Sequence, residues 1–109
     1  NIYCQRAEIE NRIKELHHGL EIDRTSCTRF WPNQLRVLLA AAAYALMQEL
    51  RGYAAGTDCA RAEVSTLRER LLKLGVWVSR SVRRIVLHLP QHAPWREEWC
   101  RVARSLGAA

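Results

Sequence analysis

The sequence predicts a mainly α chain of about four helices with a short β-hairpin. Three observations predict it: apolar residues recur at helical spacing in four segments, the period shifts to two between Val76 and Leu89, and Gly or Pro punctuates the joints. With 109 residues and 49% hydrophobic content the chain can bury one modest core, so residues 1–109 read as a single unit.

The first helix is expected over 1–18. Ile9, Ile13, Leu16 and Leu20 form one apolar stripe. Tyr3, Arg6, Glu10, Lys14 and His17 form a second stripe, roughly 80–90° away at about 100° per residue. Arg6 and Lys14 flank Glu10 one turn on either side. Taken alone, this describes an amphipathic surface helix whose i, i+4 ion pairs are each worth a few tenths of a kcal/mol. Gly19 suits the position after the helix end, and His17 and His18 suit the negative end of its dipole.

Residues 19–31 read as a connector. Asp23, Thr25, Ser26 and Thr28 favour local side-chain-to-backbone bonds, and Phe30 and Trp31 are expected to anchor the segment on the core. Residues 32–74 should then hold two core helices. Pro32 fits a first helical turn. The segment from Asn33 to Tyr53 is apolar nearly all round, which predicts a central helix packed on more than one side. Small residues at Ala40–Ala43 would let a neighbour come close, the first helix being the candidate. Gly52 and Gly56 break the pattern, and Thr57 or Asp58 can cap the next helix. That helix is expected to reach Leu74 on Val64, Leu67, Leu71 and Leu74, with a Glu69–Lys73 pair, and to stop at Gly75.

Residues 76–89 predict a hairpin with Ser79-Arg80-Ser81 as the link, though no Gly or Asn marks the turn. Arg80, Arg83 and Arg84 cluster there, either as a phosphate-contacting edge or as charges that guard a sheet edge against aggregation. A terminal helix is expected over 94–107. Its Trp95, Trp99, Val102 and Leu106 stripe predicts a docking face for the core.

The net charge of +6 is uneven. Residues 1–50 hold six Lys/Arg against six Asp/Glu, whereas residues 51–109 hold eleven against five. Fifteen of the 17 basic residues are Arg, whose rigid fork suits bidentate phosphate contacts, so a nucleic-acid partner is the first expectation. A genome that favours Arg codons would give the same bias. The longest uncharged run, Val37–Gln48, is too short to span a bilayer. No Gly-rich phosphate loop is present. Cys4, Cys27, Cys59 and Cys100 are isolated and read as reduced, space-filling thiols. His88, His92 and Cys100 have roughly zinc-like spacing but no C-x-x-C partner, which argues against a structural zinc. The first residue is Asn and the one Met is Met47, so a piece of a longer protein is expected.

The spacing Tyr3-x-x-Arg6-x-x-x-Glu10 resembles the signature of bacterial insertion-sequence transposases of the DDE type, in the group named YREK for its four letters. The similarity runs on through Asn11-Arg12-Ile13-Lys14-Glu15-Leu16, Asp23 to Trp31, and Arg61 to Leu89. The motif's Lys falls seven positions after the Glu, where this chain has His17; Lys14 is a candidate substitute. The resemblance implies the C-terminal part of a ribonuclease H-like catalytic domain, acting on DNA ends with Mg²⁺ in the bacterial cytoplasm. It implies Glu10 as the catalytic metal ligand, Tyr3, Arg6, Lys14 or His17 toward DNA, the rest of the transposase chain as partner, and a homodimer in the synaptic complex. In that family both catalytic Asp precede the Glu. Asp23 and Asp58, the two Asp of this chain, follow it, so the chain alone is expected to be inactive. The alternative is a non-catalytic basic helical module that binds nucleic acid or a partner protein.

Overall fold

The computed structural model describes residues 2–108, with side chains from Gln5 onward. Helix α1 (Ile2–Lys14) runs into a π-helical turn over Glu15–Gly19. After an irregular connector come α2 (Phe30–Tyr53), a 3₁₀ turn (Asp58–Arg61) and α3 (Val64–Leu67), which continues as a π-helical turn over Arg68–Leu72. Strands β1 (Trp77–Arg80) and β2 (Ile85–His88) form an antiparallel hairpin, and α4 (Arg96–Ser105) closes the order. The fold is thus mostly helical with one two-stranded hairpin, as the periodicities predict.

Packing concentrates where α2 ends. Ala54, Cys59, Leu67, Leu71 and Val102 are buried together, with Leu50, Ala62 and Trp99 against them. The Trp99 indole donates to the Leu71 carbonyl at 3.1 Å, which satisfies the polar handle of a largely apolar side chain. Thr57 caps the 3₁₀ turn by accepting from the Cys59 amide at 3.2 Å, one of the two caps expected. Gly56 lies at φ +79, where a side chain is strained, and its carbonyl accepts from Arg101 at 2.8 Å. The Glu69–Lys73 ion pair forms as expected.

Several expectations change. Phe30 and Trp31 do not anchor the connector: they begin α2, stack edge to face at 5.6 Å and stand in solvent, Trp31 with 76% exposure. The connector is held instead by Asn33, whose amide nitrogen donates to the Cys27 carbonyl at 2.5 Å while its oxygen accepts from the Cys27 amide at 3.3 Å. Helix α2 is not packed on several sides. Leu35, Leu38, Leu39 and Leu46 are exposed, and its buried residues, Met47 and Arg51, sit in the last third. The helix expected up to Leu74 is interrupted at Ala62–Glu63 and ends at Leu72. Cys59 fills core space, but Cys27 is exposed. Helix α4 begins at Arg96, after Trp95 at φ 64. That left-handed residue is rare outside Gly, and the Arg70 guanidinium lies 3.9 Å above its ring centroid.

These exposed faces make the molecule open. Its radius of gyration is 17.0 Å, against about 13 Å for a compact chain of this length.

Candidate functional site

Glu10 stands mid-way along α1, 60% exposed, with the Arg6 Nε 3.6 Å from its Oε1. Glu8 and Arg12 sit about 160° round the axis from it, at about 100° per residue. That opposite side packs only toward its C-terminal end, where Glu15 is 12% exposed, while Glu8 is 68% exposed. Arg12 pairs there with Glu8 at 3.5 Å and with Glu15 at 3.3 Å. Beside Glu10, Ile9 and Ile13 are exposed too, so the face carrying the carboxylate is both apolar and uncovered.

What holds α1 at this rotation is Glu15. Its carboxylate accepts from Arg51 at 2.9 Å, from the Tyr44 hydroxyl at 3.1 Å and from Arg12 at 3.3 Å. The Glu15 and Arg51 side chains are 12% and 9% exposed. Burial, then the hydrogen bond to Glu15, raises the Tyr44 pKa above its ordinary value. Burial pulls the Arg12 pKa down, but the Glu15 carboxylate outweighs it and the net shift is upward. Gln48 accepts from Arg51 at 2.9 Å, while Gln48 Nε2 and Arg51 Nε are buried without a partner. Sequence reasoning missed this cluster. The signal was there: Tyr44, Gln48 and Arg51 make a polar i, i+4, i+7 stripe on an otherwise apolar helix.

The other sequence-predicted residues are dispersed. Lys14 lines an open cleft of about 490 Å³ between α1 and the Arg61–Ser65 segment, whose walls also carry Glu8, Arg61 and Glu63. Opposite charges alternate around it, and Glu10 is not among its walls. His17 Nδ1 lies 3.5 Å from Asp23. Tyr3 lies outside the described side chains. Asp58 opens the 3₁₀ turn. Among the described residues no group of three or more His, Cys, Asp or Glu side chains could hold a metal ion. The described donor set does not build a metal centre by itself.

The hairpin gathers the second cluster. Trp77 pairs with His88, Val78 with Leu87, Ser79 with Val86 and Arg80 with Ile85. The turn therefore falls at Ser81–Arg84 rather than at the expected Ser79-Arg80-Ser81. The Ser81 amide donates to the Arg84 carbonyl at 2.8 Å, and the Arg84 amide donates to Ser81 Oγ at 3.2 Å. Ser81 thus does the work that Gly or Asn would signal, while β-branched Val82, read as strand, sits at the tip. Arg80, Arg83 and Arg84 surround a shallow concavity there.

The description "Transposase DDE domain group 1" belongs to a family model that matches residues 1–109, the whole chain. The chain belongs to this transposase family. No curated protein and no solved structure matches it. For a transposase DDE domain the substrate is DNA, and the two features above acquire a context. One is a carboxylate on an uncovered helix face, the other an arginine-rich hairpin tip. No helix of the described residues is long and apolar enough to cross a membrane.

Proposed function

We propose that this chain is the Glu-bearing C-terminal part of a bacterial DNA transposase of the YREK group, with a ribonuclease H-like catalytic domain. In this reading Glu10 is the third carboxylate of the DDE triad. The observation that carries it is the family match over the whole chain, joined to a Glu10 that stands exposed on the unpacked face of α1. Exposed Ile9 and Ile13 beside it support a face covered by apolar strands that carry the two Asp. In such centres two divalent ions, normally Mg²⁺, activate a water or 3′-OH and stabilise the leaving oxygen. Glu10 contributes one ligand, Arg6, Lys14, His17 and Tyr3 face the transposon-end DNA, and Glu15 with Arg51 holds the helix in register. The partners are DNA, the Asp-bearing part of the transposase and a second copy in the synaptic complex, in the cytoplasm at the nucleoid.

Reading the coding DNA upstream of Asn1 tests this. The expected result is an open frame with two Asp at the ends of apolar strands. A stop or start codon directly upstream removes the catalytic role.

A second reading, DNA binding without chemistry, is favoured by the hairpin: no acidic residue lies between Glu69 and Glu97. It predicts salt-sensitive binding through Arg80, Arg83 and Arg84 that is indifferent to Glu10 and Mg²⁺.

A further inference from the structure

We infer that the Arg80–Arg84 hairpin tip enters the minor groove of duplex DNA end-on, with Val82 as an apolar wedge between base pairs. This rests on DNA as the partner and goes beyond it, because it assigns a mode of binding and a deformation of the duplex. Val82 is 104% exposed at the outermost point of the hairpin. Folding therefore gains nothing from its apolar side chain, and a β-branched residue is a poor choice for a turn that Ser81 must close. Arg80, Arg83 and Arg84 surround it, no acidic residue pairs with them among the described ion pairs, and none lies nearby in sequence.

The faces of the ribbon decide how it meets DNA. Cross-strand pairing puts Val78, Ile85 and Leu87 with Arg80 on one face, and Trp77, Ser79, Val86 and His88 on the other. A ribbon lying along the major groove reads base edges with polar side chains of one face. On the first face Arg80 alone can reach a base edge, and on the other Ser79 and His88 are already hydrogen-bonded to each other at 2.8 Å, so either face leaves most of the groove's donors and acceptors unmet. Only the tip has the chemistry DNA asks for. Guanidinium groups are drawn to the enhanced negative potential of a narrow, A·T-rich minor groove. An apolar side chain inserted at a base step unstacks it and kinks the duplex. Flexible pyrimidine–purine steps such as TA are the cheapest to open.

The test uses the chain with a duplex of about 30 base pairs holding a central TA step flanked by A·T pairs. 2-Aminopurine beside the step reports unstacking, and end-to-end energy transfer reports bending. Wild type should raise the fluorescence and bring the ends together. Val82→Ser should abolish both signals and change affinity less than about threefold, since phosphate contacts dominate affinity. Replacing Arg80, Arg83 and Arg84 by Ala should lower affinity by at least about tenfold and reduce the salt slope by about 2.7, at about 0.9 per phosphate contact. All four positions are exposed, so folding is not at issue. Wild-type binding without unstacking, or a Val82→Ser variant that still bends DNA, overturns the wedge and leaves DNA binding standing. An absence of any salt-sensitive binding overturns the DNA reading and the wedge with it.

Discussion

Leu67 and Leu39 are the same residue on helices of the same chain, yet Leu67 is sealed from water and Leu39 stands 63% exposed. They represent two regions. Around the end of α2, Ala54, Cys59, Leu67, Leu71 and Val102 form a dry cluster. Along the first two thirds of α2, and on both faces of the hairpin, large apolar side chains meet solvent. Helix α2 crosses the boundary, so the difference is not one of composition or helix propensity. Hydropathy states that a face is to be covered; it does not state that the cover lies within these residues. A run of exposed Trp31, Leu35, Leu38, Leu39 and Leu46 is the kind of patch that marks an interface.

The largest effect is expected at Leu67. Leu67→Ala leaves a cavity in the dry cluster and should cost about 3–4 kcal/mol in a denaturant titration; a cost near zero would mean the two regions do not differ. Next comes Glu15→Ala, which strands Arg51 and should cost about 2–3 kcal/mol, since both ends of the pair are slightly wet. Glu15→Leu with Arg51→Met should recover most of that loss, because an apolar pair needs no compensation. Failure to recover would mean that Tyr44 and Arg12 depend on the carboxylate as much as Arg51 does.

Smaller effects sharpen the boundary. Burial, then the hydrogen bond its thiol donates to Glu98 at 3.2 Å, raises the Cys59 pKa. A raised folded value means the neutral thiol is favoured in the fold. Its contribution is therefore full below the unfolded value of about 8.5 and is lost as pH rises through the folded one. Stability should fall as pH rises above about 8.5, and Cys59→Ala should flatten that slope. Tyr44, shifted the same way by burial, should extend the loss above about pH 10. Smallest of all, Leu39→Ala should move stability by less than about 0.5 kcal/mol in this chain. A larger cost would show that solvent does not meet this face.

Much of the secondary structure was legible because it is set locally. The Ile9–Ile13–Leu16 spacing, the shift to period two after Val76, the break at Gly56 and the cap at Thr57 act within a turn or two. What was not legible depends on contacts far apart in sequence. Glu15 reads as one more charge on a polar helix until Arg51, 36 residues on, is brought to 2.9 Å. Phe30 and Trp31 read as core anchors because large aromatics usually are, and nothing local says that no neighbour reaches them. The hairpin register slipped for a chemical reason: Ser81 closes the turn with its own hydroxyl, and Val82 counts as strand in any propensity scale. At the candidate site, the Arg6–Glu10 pairing follows from i, i+4 spacing, but the face it occupies follows only from the Glu15 anchor on the other side.

The most direct measurement of the proposed role is Mg²⁺-dependent strand cleavage of transposon-end DNA by the transposase, with Glu10 and with Glu10→Ala. Glu10→Ala should lower cleavage by at least about 10³-fold, as loss of a metal-holding carboxylate should, while DNA affinity stays within about threefold because the phosphate contacts remain. Cleavage undiminished in Glu10→Ala would contradict that role.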